Sequence, residues 1–163
     1  MKRLVSHGVV MFAGLLASPT FTQTIPQNIA NKEVIDPRVQ RLIEFFEERA
    51  CPVGKDAAEF IAASDAHELD WRLLPSIALV ESGGGKAAPN NNILGWNSAK
   101  GKFPSVKAAI HTVASRFENS PLYKNKPTKE ILRIYNNGHA DYAARVMKVM
   151  RTIGPAEFPL LLN

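Results

Sequence analysis

Leu79-Val80-Glu81-Ser82-Gly83-Gly84-Gly85 is the stretch on which the reading of this chain turns. An apolar run of helical character stops at three consecutive glycines, and the last turn carries a carboxylate. The C-terminal end of a helix is the negative pole of its dipole, so a charged Glu81 is disfavoured there. An acid in so unfavourable a place suggests use: a carboxyl that must hold and then release a proton suits general acid chemistry. Glycines beside it leave room for something to approach.

Upstream of this stretch, Asp70 begins a helix that tolerates Pro75 in its first turns. Leu73, Leu74, Ile77, Ala78 and Val80 make it apolar on most sides, as a buried central helix requires. Two further helices precede it. Asp36-Pro37 is an N-cap followed by proline at the first helical position. Val39, Leu42, Ile43 and Phe46 then recur at helical spacing, with an end near Cys51-Pro52. The second helix is expected from Asp56 to His67.

Downstream the character changes. Gly83 to Asn92 reads as loop. Ile93-Leu94-Gly95-Trp96-Asn97 and Lys102-Phe103 have the length of two short strands, with a turn at Ser98-Ala99-Lys100-Gly101. Ser105 caps a helix presenting Val106, Ala109, Ile110, Val113 and Phe117. Thr128 is expected to cap the next, which ends at Asn137-Gly138, and a last helix runs from about Ala140 to Ile153. The expected fold is mainly α, with a small β-hairpin directly after Glu81.

The 163 residues, 45% of them hydrophobic, suit one globular domain with a core and a short extra segment. That segment is the N-terminus. Lys2 and Arg3 precede the apolar run Val9 to Ala17, which Ser18-Pro19 breaks. The pattern is that of a secretory signal peptide over residues 1–24, followed by a polar linker over 25–35 and the domain over 36–163. The run is too short to span a membrane, so an exported, periplasmic or extracellular protein without stable membrane insertion is expected. Cys51 is the only cysteine, which excludes an intrachain disulfide and reads as a small buried apolar residue. His67, His111 and His139 show no ligand spacing, and no metal or cofactor is expected. They read as surface or capping residues.

Net charge is +5, or +3 without Lys2 and Arg3, too small an excess to point to nucleic acid. Its distribution is uneven. Ser82 to Phe117 holds no Asp or Glu but contains Lys86, Lys100, Lys102, Lys107 and Arg116. A lysine-guarded edge hairpin accounts for this, ahead of an electropositive wall for an anionic substrate.

One acid at the end of a buried helix, facing a small excursion, suits cleavage of a glycosidic bond, where an acid protonates the leaving oxygen. Trp96, Tyr123, Tyr135 and Tyr142 could offer flat surfaces to sugar rings, and Asn91, Asn92, Asn97, Asn136 and Asn137 amide partners. The ordered set Glu81-Ser82-Gly83, Asn92-Ile93-Leu94-Gly95-Trp96, Phe103-Pro104-Ser105-Val106, Leu122-Tyr123, Tyr135 and Tyr142-Ala143-Ala144-Arg145-Val146 resembles the lysozyme-like superfamily. Within it, the set is closest to bacterial peptidoglycan glucosaminidases and similar to soluble lytic transglycosylases, over roughly residues 56–153.

The resemblance implies a lysozyme-like α+β fold, with a central buried helix and a small β-hairpin at the cleft, acting on peptidoglycan glycan strands; a monomer is expected. It implies that Glu81 is the catalytic acid and that Ser82 orients it. Asn92 and Gly95 would border the sugar cleft, with Trp96 beside them. Tyr135, followed by Asn136, or else Tyr142, would hold substrate near Glu81. The chain departs from the hydrolases of that group in having no second carboxylate in the segment after Glu81. Glu118, Glu130 and Asp141 are the remaining candidates for one. Asp65, Glu68 and Asp70 precede a helix that is ~15 Å long, too far for paired carboxylates. The gap favours a route with one carboxylate, as in lytic transglycosylases, and leaves open a module that binds glycan without cutting it.

Overall fold

The computed structural model describes residues 36–157. The expected signal peptide and linker lie outside the described residues, as does the end of the expected domain. Six α-helices are described: α1 Pro37–Glu47, α2 Ala57–Ala66, α3 Leu73–Ser82, α4 Val106–Asn119, α5 Thr128–Tyr135 and α6 Tyr142–Ile153. Short 3-10 turns occupy Pro52–Asp56 and Pro89–Asn91.

The helix starts follow local chemistry. Asp36 caps α1 by accepting the Arg38 backbone N–H at 2.8 Å. Ser105 caps α4, its Oγ accepting the Ala108 N–H at 3.1 Å. Thr128 is instead the first helical residue of α5, behind Pro127, and its side chain makes no cap. The ring of Pro127 fixes φ at the N-cap position, and with ψ at 149° the chain enters the helix from extended backbone without a side-chain cap. The third helix begins at Leu73 rather than Asp70. Asp70 folds back onto Arg72, accepting its backbone N–H at 3.0 Å and pairing with its guanidinium at 2.6 Å.

Helix α3 is the centre of the domain. Leu73, Leu74, Ile77 and Ala78 are buried, together with Pro75, Ser76 and Ser82. It packs against α6, which in turn packs against α5, while α2 lies against α4 and α1. Phe45, Phe46, Phe60 and Phe117 fill the core between them. Each such side chain contributes about 1.5–3 kcal/mol by leaving water.

Helices α3 and α6 run antiparallel. At one end the Arg72 guanidinium donates to the Gly154 carbonyl at 2.7 Å and the Trp71 indole to the Ala156 carbonyl at 3.0 Å. At the other end Tyr142, the first residue of α6, comes beside Glu81 in the last turn of α3. This places an aromatic side chain from residue 142 against an acid 61 positions earlier.

The expected β-hairpin does not form: the described residues contain no strand. Residues 90–103 are a folded loop held by asparagine side chains. The Asn92 side chain accepts the Trp96 N–H at 2.8 Å and donates to the Trp96 carbonyl at 3.0 Å. Asn91 donates to the Phe103 carbonyl at 2.9 Å. Short polar side chains thus take the backbone partners that a ladder would need. Asn97, Ser98 and Ala99 all have positive φ, of 55°, 51° and 62°. A left-handed turn of this kind cannot extend into a strand.

Candidate active site

The three glycines end α3 and bend the chain away from Glu81. Gly83 adopts φ 63°, and the N–H groups of Gly83 and Gly84 close onto the carbonyls of Leu79 and Ala78 at 3.1 and 3.0 Å. Gly84 passes directly over Cys51, where a β-carbon would lie 2.6 Å from the cysteine sulfur. Cys51 is buried, as its apolar surroundings predict, and its thiol points at the Gly83 carbonyl at 3.4 Å.

Ser82 is only 3% exposed. Its hydroxyl lies 2.7 Å from the Ile93 carbonyl and 2.9 Å from the Ala78 carbonyl, and it accepts the Gly85 N–H at 2.9 Å. It therefore clamps the loop after Glu81 onto the end of α3. Asn92 is likewise 3% exposed, both ends of its amide being occupied by Trp96. Ser82, expected to orient Glu81, and Asn92, expected to border the sugar cleft, both brace the loop, and neither lines the cleft.

The loop crosses Glu81 at Gly95. With φ 70° and no side chain, Gly95 lets the carboxyl come against its Cα. A cleft of about 570 Å³ opens at this point. Glu81 and Gly95 lie on it together with Trp96, Tyr135 and Asn136, so five of the eight expected site residues converge there. The left-handed turn Asn97–Ala99 forms one wall, and Asn137, Gly138 and His139 from the α5–α6 connection form the other.

The aromatic rings make a continuous packed set. Trp96 lies 5.8 Å from Tyr135 and 6.4 Å from Tyr123, centroid to centroid. Tyr135 stacks on Tyr142 at 6.2 Å with an interplanar angle of 20°. The Tyr135 hydroxyl donates to the Leu94 carbonyl at 2.5 Å, tying α5 to the loop immediately before Gly95. Tyr142 is 2% exposed and stays behind the cleft surface. Its hydroxyl is buried without a well-aligned hydrogen bond, close enough to the Glu81 carboxyl to interact with it.

Both phenols hold their protons tightly. Burial is the main cause for each, and the negative charge of Glu81 is the next. Tyr123, also on the cleft, is shifted the same way by burial. The surroundings of Glu81 are thus neutral O–H groups and aromatic faces.

Glu81 is the one carboxylate among the described residues lining the cleft. Glu118 is paired with His67 at 2.5 Å and Glu130 with Lys126 at 2.7 Å. Asp65 is paired with Arg38 at 2.7 Å, and Asp70 with Arg72 at the opposite end of α3. Asp141 is exposed at the start of α6. The lysines of the acid-free stretch divide: Lys107 pairs with Glu59 at 2.8 Å and Lys86 donates to the Arg49 carbonyl at 2.7 Å. Since no strand forms, these lysines do not guard a hairpin edge.

Tyr123, Asn97 and Asn137 were readable from sequence as aromatic and amide candidates. Ser98, Ala99, Gly138 and His139 were not singled out, since nothing local distinguishes them from ordinary turn residues. The described residues contain no group of three or more His, Cys, Asp or Glu arranged to hold a metal ion, and no helix long and apolar enough to cross a membrane.

No family model matches the chain, and no curated protein is significantly similar to it. Among solved structures, it is similar to the catalytic domain of the autolysin Auto from Listeria monocytogenes, with a TM-score of 0.46 and 16% sequence identity. The match covers 85% of this chain and 88% of that one. A likeness of this size carries no assignment, and the functional reading rests on the site.

Proposed function

We propose that this protein cleaves β-1,4 bonds in the glycan strands of peptidoglycan, as an exported enzyme of lysozyme-like type with Glu81 as general acid. The observation that carries the reading is the position of Glu81. It is a half-buried carboxyl delivered by the central helix to the floor of an aromatic- and amide-lined cleft, against a glycine that leaves it uncovered. The ordered motifs shared with peptidoglycan glucosaminidases and lytic transglycosylases supply the substrate class.

In the proposed reaction the Glu81 carboxyl gives its proton to the bridging oxygen as the bond from that oxygen to the sugar's C1 breaks. Glu81, now a carboxylate, then takes a proton from the group that attacks C1. With no second carboxylate in the cleft, that group is favoured to be the sugar's own 6-hydroxyl, which yields a 1,6-anhydro end. Attack by water would yield a reducing end. Trp96 and Tyr135 would present ring faces to the sugars, and Asn136 an amide.

The test is digestion of purified peptidoglycan by the mature protein, with fragments read by mass spectrometry beside the Glu81→Gln variant. Anhydro ends support transglycosylation and reducing ends hydrolysis. A variant that cuts as well as the parent overturns the reading. The presence of only one acid in the cleft also fits a non-catalytic glycan-binding module, for which binding without fragments is the expected result.

A further inference from the structure

The α5–α6 connection carries one group that the proposed bond cleavage does not use. His139 is exposed and lines the same cleft as Glu81. Its backbone is fixed at the start of α6, where its carbonyl accepts the Tyr142 N–H at 3.1 Å. Tyr142 in turn stands beside Glu81, so the connection is anchored to the helix end that flanks the acid. Gly138 leaves this wall open: outside its chain neighbours, a β-carbon there would meet nothing nearer than the Asn136 side-chain oxygen at 3.9 Å. The other histidines among the described residues are engaged, His67 with Glu118 at 2.5 Å and His111 with Glu59 at 3.0 Å. The His139 imidazole has no hydrogen-bond or ion-pair partner among the described residues, so both ring nitrogens are free. Elsewhere on the cleft, Tyr123 and Tyr135 keep their protons, burial being the main cause. The asparagine amides, the Ser98 hydroxyl and the Trp96 indole are not bases, whereas a neutral imidazole keeps one nitrogen with a free lone pair. Glu81 apart, His139 is the one proton acceptor among the described residues lining the cleft.

We propose that His139 is the general base of a hydrolytic branch of the reaction, taking the proton from a water that attacks the sugar's C1. This role rests on the proposed glycan cleavage and adds which residue serves water in place of the absent second carboxylate. Water attacking from the face opposite the leaving oxygen lies across the ring from the acid and needs an acceptor of its own, with about 6.5–9.5 Å between the two proton carriers. Glu81 reaches the cleft from the end of α3 and His139 from the α5–α6 connection, with the cleft between them. In this step the water oxygen bonds to C1 as the bond from C1 to the leaving oxygen breaks. The Glu81 proton goes to the leaving oxygen, and one water proton goes to the free ring nitrogen of His139. Glu81 ends as carboxylate and His139 as imidazolium, and one proton passed through solvent from His139 to Glu81 resets the pair. Attack by the 6-hydroxyl makes no use of His139, because Glu81 takes that proton.

The test digests purified peptidoglycan with the mature protein and counts reducing and anhydro ends by mass spectrometry. The parent is expected to give reducing ends beside anhydro ends. In His139→Gln the ratio of reducing to anhydro ends should fall about 100-fold, the usual worth of a general base, and His139→Glu should restore part of it. The side chain is exposed, so its replacement leaves the packed core untouched. A second reading needs no variant: the parent's fresh reducing ends, followed by NMR, should appear first as the α anomer, since a single displacement at a β bond inverts C1. An unchanged ratio in His139→Gln, a change confined to KM, a parent that makes anhydro ends alone, or the β anomer first each overturns the role while leaving cleavage by Glu81 standing. No fragments from the parent, or equal cutting by Glu81→Gln, overturns the role together with the function beneath it.

Discussion

Gly95 and Glu81 meet so closely that a β-carbon on Gly95 would lie 2.8 Å from the Glu81 Cδ. The loop backbone and the acid share one volume, and only a residue without a side chain fits. Gly95→Ala therefore displaces the carboxyl, the loop or both. The φ of 70° adds the left-handed penalty, about 1–2 kcal/mol. Cleavage is expected to fall on the order of 100-fold, as for a misplacement of about 1 Å, with helical content unchanged. Circular dichroism beside a peptidoglycan-release assay checks it; full activity in a folded Gly95→Ala protein would count against the geometry.

Tyr135 and Tyr142 stack on each other but differ in what their hydroxyls do. Tyr135→Phe orphans the Leu94 carbonyl and is expected to cost about 1–3 kcal/mol of stability. Tyr142→Phe removes a buried hydroxyl with no well-aligned bond, so stability stays level or rises slightly. Its cleavage rate is expected to drop by roughly tenfold or more, because a neutral donor beside Glu81 is lost. Denaturant melts and rate measurements on the two variants should show opposite orders of damage.

Gly84 and Cys51 form a second close approach beneath the site. Gly84→Ala places a methyl 2.6 Å from the cysteine sulfur at φ 68°. It should destabilise the fold by about 1–3 kcal/mol, the usual cost of overpacking. In Cys51→Ala protein the same change should cost less, since part of the clash is gone. A double-mutant cycle on thermal melts reads the coupling, and strict additivity would argue that the two do not touch.

Acid should lower the stability of the domain below pH 4.5. Three carboxylates are held below their ordinary range: Asp36 by Arg38, Glu59 by Lys107 and then His111, and Glu118 by His67. A lowered folded pKa means that the folded state keeps its carboxylates ionised where the unfolded chain takes up protons. The stabilisation is full above the ordinary values, 4.5 for Glu and 3.8 for Asp, and is lost as pH falls through the folded values. Asp56, shifted up by burial, works with the opposite sign, so the net loss is smaller than the three alone imply. Tm measured from pH 7 to pH 3 should fall mainly below 4.5, and Asp36→Asn should flatten the curve. A Tm independent of pH in that range would contradict it.

Much of the helical frame was legible locally. Asp36-Pro37 and Ser105 carry their caps in their own side chains or rings, and α3 announces itself by being apolar on most faces. The hairpin was misread for a reason equally physical. Ile93 to Asn97 has strand-like composition, yet Asn91 and Asn92 spend their amides on the backbone of Phe103 and Trp96, and that competition is invisible to an alternation pattern. Asn92 was expected at the cleft because the ordered motifs resemble a family in which that segment borders it; here it is buried with both ends of its amide on Trp96, and it braces the loop. His139 is exposed, as read from sequence; that it also walls the cleft was hidden because the opposite wall, the 97–99 turn, lies some forty residues away.

The sequence by itself determined that a carboxylate ends a buried helix at a glycine-rich break, because periodicity, capping and glycine conformation act over a few residues. Tertiary structure alone decided what that carboxylate faces. The antiparallel docking of α6 on α3 brings Tyr142 to Glu81, and the bond from Tyr135 to Leu94 holds Gly95 against it. Those contacts join residues tens of positions apart, and they exist only where several apolar faces are buried together.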